Sequence, residues 1–246
     1  FVEDLFVANT HDYILFFSNK GKCYWLKVYE IPEGTRQTKG KAIISLIKLE
    51  ENETIAAYVS VREFKDNEYL IMITERGLIK KTKLSIFSKP RSSGVLAINL
   101  NKNDKLIEVK LARTKDEVFL ATQQGKVIRF SIKEIREIGR TGMGVKGINL
   151  GKDDKVIGAS ILSKGESNIS LLTVTENGFG KRTKESQYRR QSRGGKGIIN
   201  IKKSLKIGNV INLKLVKDTD EVMLITTKGT LIRFKIKDIR IMGRNT

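Results

Sequence analysis

The chain is poor in the residues that do chemistry or staple small folds. It has one histidine, His11, and one cysteine, Cys23. A lone histidine leaves few parts for a His-based metal site or a Ser-His-Asp triad. A lone thiol excludes an internal disulfide, and with no signal-peptide pattern it points to the cytoplasm. The only prolines are Pro32 and Pro90 and there is no Ser/Gly tract, so a single domain over residues 1–246 without a flexible linker is expected. No apolar run approaches the roughly 18–20 residues a membrane span requires, so a soluble protein is expected. Acids are scarce as well: 27 against 47 basic residues, a formal net charge of +20.

What is present builds a core and an electrostatic field. At 246 residues and 39% hydrophobic, the chain can bury a substantial interior. Its positive excess is spread along the whole length rather than gathered in a tail. Such a surface attracts polyanions, nucleic acid first and an anionic membrane surface second.

A module of about fifty residues recurs five times. Strand-like apolar runs reach a glycine turn at Gly21, Gly77, Gly125, Gly178 and Gly229, spaced by 56, 48, 53 and 51 residues. A second Gly/basic segment follows most of them, around Gly40, Gly94, Gly144 and Gly195. Modules of roughly 1–50, 51–101, 102–151, 152–203 and 204–246 result, each burying its apolar face only against neighbours. Period-two alternation on both sides of the turns, as in Ile232, Phe234 and Ile236 against Arg233, Lys235 and Lys237, predicts β-hairpins with one buried face. A third strand precedes each hairpin, as at Asp104–Val109 and Asp154–Ile157, and a fourth follows the second glycine segment, as at Ile148–Leu150 and Ile199–Ile201. Four short strands per module predict an all-β, propeller-like array of about five to six four-stranded blades. Short helical turns are expected near Ile132–Ile138 and Ile236–Met242.

Basic side chains recur in register. Four residues past each turn glycine stand Trp25, Lys81, Arg129, Arg182 and Arg233; six past stand Lys27, Lys83, Ser131, Lys184 and Lys235. With no balancing acids on the same face, these positions predict a cationic belt on one side of each hairpin. A solvated, Lys-rich strand face that blunts edge pairing is the bland alternative. The second glycine segments add Arg36, Lys39 and Lys41; Lys89 and Arg91; Arg140 and Lys146; and the richest stretch, Arg189, Arg190, Gln191, Ser192, Arg193, Gly194, Gly195, Lys196 and Gly197. Glycine beside cations lets main-chain N–H groups approach a phosphate while Arg and Lys supply charge. The 189–197 stretch is therefore the strongest candidate for a clamp on a nucleic-acid backbone; its alternative is a solvated loop.

Two other patterns carry less. Gly142 to Gly147 matches the dinucleotide fingerprint G-x-G-x-x-G, yet it runs into another strand-like stretch where that fingerprint requires a helix. His11 falls in the turn Asn9–Asp12, where local hydrogen bonding is expected, and Cys23 in a hairpin strand, where a buried thiol is ordinary. No catalytic constellation is found.

Several motifs carry a resemblance. Ala8-Asn9-Thr10-His11-Asp12-Tyr13, Phe16 to Lys22, Lys27 to Pro32, Gly178 to Thr183 and Met242 to Thr246 together resemble the C-terminal domain of the A chain of bacterial DNA gyrase, over essentially the whole sequence. The resemblance implies a β-pinwheel, a propeller-like disc whose blades exchange a strand and whose basic rim wraps duplex DNA. It implies no catalysis and no cofactor in this domain, with ATP and Mg acting elsewhere in a heterotetramer of gyrase A and gyrase B. In that family a Gln-Arg-Arg-Gly-Gly-Lys-Gly box lies in the first of six blades, ahead of the segment similar to residues 1–30. The match here is Gln191 to Gly197, with Ser192 in place of an arginine; either the box lies outside this sequence or the later copy serves for it. The corresponding domain of topoisomerase IV shares the implied fold, and a propeller-like scaffold for proteins or other acidic partners is a reading from another class.

Overall fold

The computed structural model describes residues 6–35 and 37–246. Among them are the strands β1 (Tyr13–Ser18), β2 (Lys22–Lys27), β3 (Ile55–Val61), β4 (Glu68–Thr74), β5 (Leu78–Lys83), β6 (Val95–Leu96), β7 (Leu106–Arg113), β8 (Glu117–Thr122) and β9 (Lys126–Ser131). They continue with β10 (Val145–Lys146), β11 (Val156–Leu162), β12 (Ser170–Thr175), β13 (Gly180–Lys184), β14 (Ile198–Ile199), β15 (Val210–Val216), β16 (Glu221–Ile225) and β17 (Leu231–Lys235). The chain is all-β, as its periodicity predicts, and the two expected helical turns are single 3-10 turns at Ile132–Glu134 and Ile236–Asp238.

The strands form five antiparallel sheets, ordered β3-β1-β2-β6, β10-β5-β4-β7, β11-β8-β9-β14, β13-β12-β15 and β16-β17. Each is founded on a hairpin whose turn glycine has φ near +80° (Gly21 81, Gly77 83, Gly125 83, Gly178 79, Gly229 80), a region open to glycine because it has no Cβ. At Gly125 a side chain is barred twice, since a Cβ there would also lie 2.5 Å from the Ile201 carbonyl oxygen.

Strand allotment departs from the sequence expectation. The third strand belongs to the hairpin before it: β7 pairs with β4 in the register Leu70↔Leu111, and β11 pairs with β8 in the register Leu120↔Ala159. Its entry is fixed by an acid that reaches the preceding hairpin turn. Asp104 Oδ1 accepts from Arg76 N at 3.0 Å, and Asp154 Oδ1 from Gln124 N at 2.9 Å. The fourth strand also crosses back. β6, β10 and β14 lie beside β2, β5 and β9, so each of the three middle modules gives two strands to its own sheet and two to the previous one. This fourth strand is only two residues long and sits at Val145–Lys146, not at Ile148–Leu150.

Contacts divide the chain into two compact units. One comprises residues 8–114 and 135–146, with the first two sheets; its core includes Leu15, Phe17, Cys23, Leu70, Met72 and Phe87. The other takes in residues 115–134 and 147–246, with the remaining three sheets; its core includes Phe119, Val127, Leu171, Tyr188 and Leu213. The expected single buried face per hairpin is corrected in the first four sheets. β1 is buried from Ile14 to Phe17, and every residue of β8 is buried. These strands are internal to their sheets, and their burial on both faces exceeds what an antiparallel sheet packed on one side shows.

Candidate nucleic-acid interface

The basic segments are held by the hairpin across which they travel. On the third sheet, Gln191 N donates to the Arg129 carbonyl at 2.8 Å, fixing the start of the 189–197 loop over β9. Gly197 (φ +70°) lets the loop touch β9, because a Cβ there would lie 2.9 Å from the Val127 oxygen. Gly194 N donates to the Gly147 carbonyl at 2.8 Å, and the Gly195 carbonyl accepts from Asn149 N at 2.9 Å. The glycines thus serve close main-chain packing. Arg193 N donates to Glu134 Oε2 at 2.8 Å and its Nε to the Glu134 carbonyl at 3.2 Å. Arg189, Arg190 and Lys196 are exposed. Gln191 Nε2 is buried without a hydrogen-bond partner.

Beneath this loop is an ion-pair hub that sequence reasoning missed. Glu117, at the start of β8, accepts from Arg129 Nε at 2.6 Å with one oxygen and pairs with Arg190 through the other. Arg129 NH1 then donates to the carbonyls of Glu185 (3.2 Å) and Tyr188 (3.1 Å). Burial lowers the Arg129 pKa, opposed by the charge of Glu185. Tyr188, its pKa pushed up to about 12 chiefly by burial, donates through its hydroxyl to Asn200 Oδ1 below the loop.

The other sheets use different donors for the same task. On the first, Trp25 Nε1 donates to the Phe87 carbonyl at 2.8 Å, and the exposed Lys89 and Arg91 follow. On the second, Ile138 N donates to the Lys81 carbonyl at 2.9 Å, and Lys80 Nζ to the carbonyls of Ala97 (2.7 Å) and Arg140 (2.6 Å). On the fourth, Met242 N donates to the Arg182 carbonyl at 2.7 Å, and Lys181 Nζ to the carbonyls of Gly243, Arg244 and Thr246.

The cationic belt four residues past each turn is therefore corrected in part. Lys81 and Arg182 are buried, 7% and 4% exposed, and Arg129 is half-buried. Balancing acids exist: Glu117 for Arg129, Asp218 for Arg182, Glu221 for Arg233, and Glu137 for Lys83 at 3.6 Å. They were missed because they lie across the sheet or in later loops. The doublets Lys80-Lys81 and Lys181-Arg182 carried a usable signal, since adjacent strand residues point to opposite faces and one of each pair must point inward. Lys184, Arg233, Lys235, Lys39, Lys41 and Lys146 are exposed; Arg140 and Lys83 are half-buried. Arg36 lies outside the described residues.

The local chemistry of His11 and the glycine run resolves simply. His11 N donates to Asn9 Oδ1 at 3.1 Å within its turn. Gly142 to Gly147 lies in a crossing segment and passes through strand β10, without the helix a dinucleotide site needs. Among the described residues no group of three or more His, Cys, Asp or Glu side chains could hold a metal ion, and no helix is long and apolar enough to cross a membrane.

Repeated antiparallel sheets, closed by strands exchanged between successive repeats, define a propeller-class β-repeat protein with basic segments carried on the exchanged pieces. The chain belongs to the DNA gyrase C-terminal domain family, a β-propeller family whose model matches residues 12–61, 68–113, 116–163, 170–217 and 220–246. The first four intervals run from a hairpin through the long strand that pairs back onto it, and the last covers the fifth hairpin. The chain is 46% identical over 246 residues to the gyrase A protein of Salmonella typhimurium, covering all of this chain and 28% of that protein. It is 44% identical to the gyrase A protein of Escherichia coli K12, covering 100% of this chain and again 28% of the relative. The chain thus spans less than a third of these relatives. Among solved structures, the DNA gyrase A C-terminal domain superposes with a TM-score of 0.84 at 28% identity, covering 96% of this chain and 76% of that one. The C-terminal domain of DNA topoisomerase IV gives 0.86 at 27% identity, covering 96% and 73%.

Proposed function

We propose that this domain binds and bends duplex DNA through the exposed cations of its crossing segments and hairpins, as the C-terminal part of a gyrase A protein, and takes no part in bond chemistry itself. In the whole enzyme, a heterotetramer formed with the rest of gyrase A and with gyrase B, wrapping DNA here supports negative supercoiling driven by ATP bound elsewhere. Its place is the bacterial cytoplasm, on the nucleoid. The observation that carries this reading is the 189–197 loop, whose main chain is fixed on β9 while Arg189, Arg190 and Lys196 stay exposed. Cations held by an anchored backbone meet phosphates without reading bases, so binding is insensitive to sequence. Bending 20–30 bp by 40–90° costs on the order of 1–6 kcal/mol, which several charge-neutralising contacts offset.

The test is duplex affinity measured across a salt series on unrelated sequences. With about ten phosphates neutralised, log affinity falls against log salt with a slope near −9, equally on each sequence. A flat response sinks the reading and leaves a protein-binding scaffold. The topoisomerase IV alternative is separated by function: the complete enzyme supercoils relaxed plasmid if this is a gyrase domain.

A further inference from the structure

Two lysines carry charge where no phosphate reaches. Lys80 and Lys181 stand three residues past Gly77 and Gly178, and they are 0% and 3% exposed. Their acceptors are main-chain carbonyls only: Ala97 and Arg140 for Lys80, and Gly243 (2.7 Å), Arg244 (2.8 Å) and Thr246 (3.1 Å) for Lys181. The charged neighbour that acts on each ammonium is another cation, Arg140 or Arg244. An ammonium buried without a carboxylate is costly, but its three N–H donors can satisfy several carbonyls at once. The carbonyls gripped are mostly those of the segment arriving from the following repeat. Beside each lysine the same segment donates an amide to the next residue of the strand, Ile138 N to Lys81 O and Met242 N to Arg182 O. The third sheet has apolar Ile128 at this place, and Arg129 NH1 grips the segment instead.

We propose that Lys80 and Lys181 are positioning residues for the DNA-facing segments 138–146 and 240–246, tying the main chain that carries Arg140 and Lys146, or Arg240 and Arg244, while never touching DNA. The proposal rests on the DNA-binding reading above. Lys80→Met keeps most of the stem and removes the donors. In the full chain, well below its unfolding midpoint, hydrogen exchange at the Ile138 amide is expected to speed up about tenfold by local opening while β4 and β8 stay protected. The slope of log affinity on log salt should flatten by about 2, one for each of Arg140 and Lys146 misplaced. An exposed control, Lys89→Met, flattens it by about 1 and leaves the Ile138 amide alone. Unchanged Ile138 exchange, or a slope change no larger than the control's, overturns the proposal. If Lys80→Met does not fold, titration of the lysine Nζ signals in the unaltered chain decides. Two ammonium groups with slowly exchanging protons and pKa near 8 support it, and lysines that all titrate together near 10.5 overturn it. If the unaltered chain fails to bind duplex DNA, the DNA reading falls, and Ile138 exchange alone judges the positioning role.

Discussion

The third and fifth hairpins share one plan and end in different circumstances. Both begin with a glutamate, Glu117 or Glu221, and both pair it with an arginine four residues past the turn glycine, at 2.6 Å from Nε. Their registers match: Glu117 faces Ser131 and Glu221 faces Lys235. Yet the Arg129 side chain is 17% exposed and that of Arg233 is 69% exposed. The third hairpin lies between β11 and β14, while the fifth pairs only with itself among the described residues. Strands supplied by other repeats turn a surface ion pair into an internal tie that holds the 185–191 main chain.

The comparison can be broken most sharply at the turns. Gly125→Ala combines a left-handed φ with a Cβ 2.5 Å from the Ile201 oxygen, so it is expected to cost about 3 kcal/mol or more, against about 1–2 kcal/mol for Gly178→Ala at the turn of the fourth hairpin, where a Cβ meets nothing within 4 Å and only the φ penalty applies. Equal losses in denaturant unfolding would show that the crossing strand does not press on the third turn. Next, Glu117→Ala leaves Arg129 largely buried without its partner and should cost about 3 kcal/mol, whereas Glu221→Ala should cost less than about 1 kcal/mol. Unfolding midpoints of the two variants decide this.

The second hairpin extends the contrast to a buried cation with no acid. Burial, with the charge of Arg140, pushes the Lys80 pKa down to about 8 from the ordinary 10.5. Between those values the unfolded chain binds more protons than the folded one, so this lysine makes stability rise with pH from about 8 to 10.5. The parent should therefore gain stability relative to Lys80→Met over that window, and parallel pH profiles would contradict it. The smallest effect is at the surface. Arg233→Ala should change stability by no more than about 0.5 kcal/mol while flattening the salt slope of DNA binding by about 1.

Much of this architecture was legible because its turns are encoded locally: glycine at a φ near +80° between alternating runs has few other readings. The family motifs, from Asn9-Thr10-His11-Asp12 to the closing Met242 to Thr246, also pointed to the right family. Pairing was not legible. Leu106–Arg113 is equally apolar whichever hairpin it joins, and the bonds that tie it to the earlier one, the ladder with β4 and the Asp104 bond to Arg76 N, form only in the fold. Ile148-Asn149-Leu150 looked like the fourth strand because it is apolar, but the place beside β5 is taken by Val145-Lys146, next to Gly144, whose Cβ would lie 2.8 Å from the Ile79 oxygen. In the candidate interface, alternation showed that Lys81, Arg129 and Arg182 share a face. It could not show that this face is covered, because the covering residues come from segments 56 to 60 residues further along the chain.

The exchange of strands also bears on how such a chain can change its length. Cutting out residues 102–151 would strip β7 and β10 from the second sheet and remove the hairpin that receives β11 and β14. What is left would still offer β4 and β5 two new partners, because β11 and β14 are spaced from the lost hairpin as β7 and β10 are from theirs. Loss or duplication of one period, with its break between strands, is therefore expected to leave each hairpin an incoming pair of strands. The polymer behaves like a chain of overlapping links, in which whole periods can be gained or lost but a fraction of one cannot.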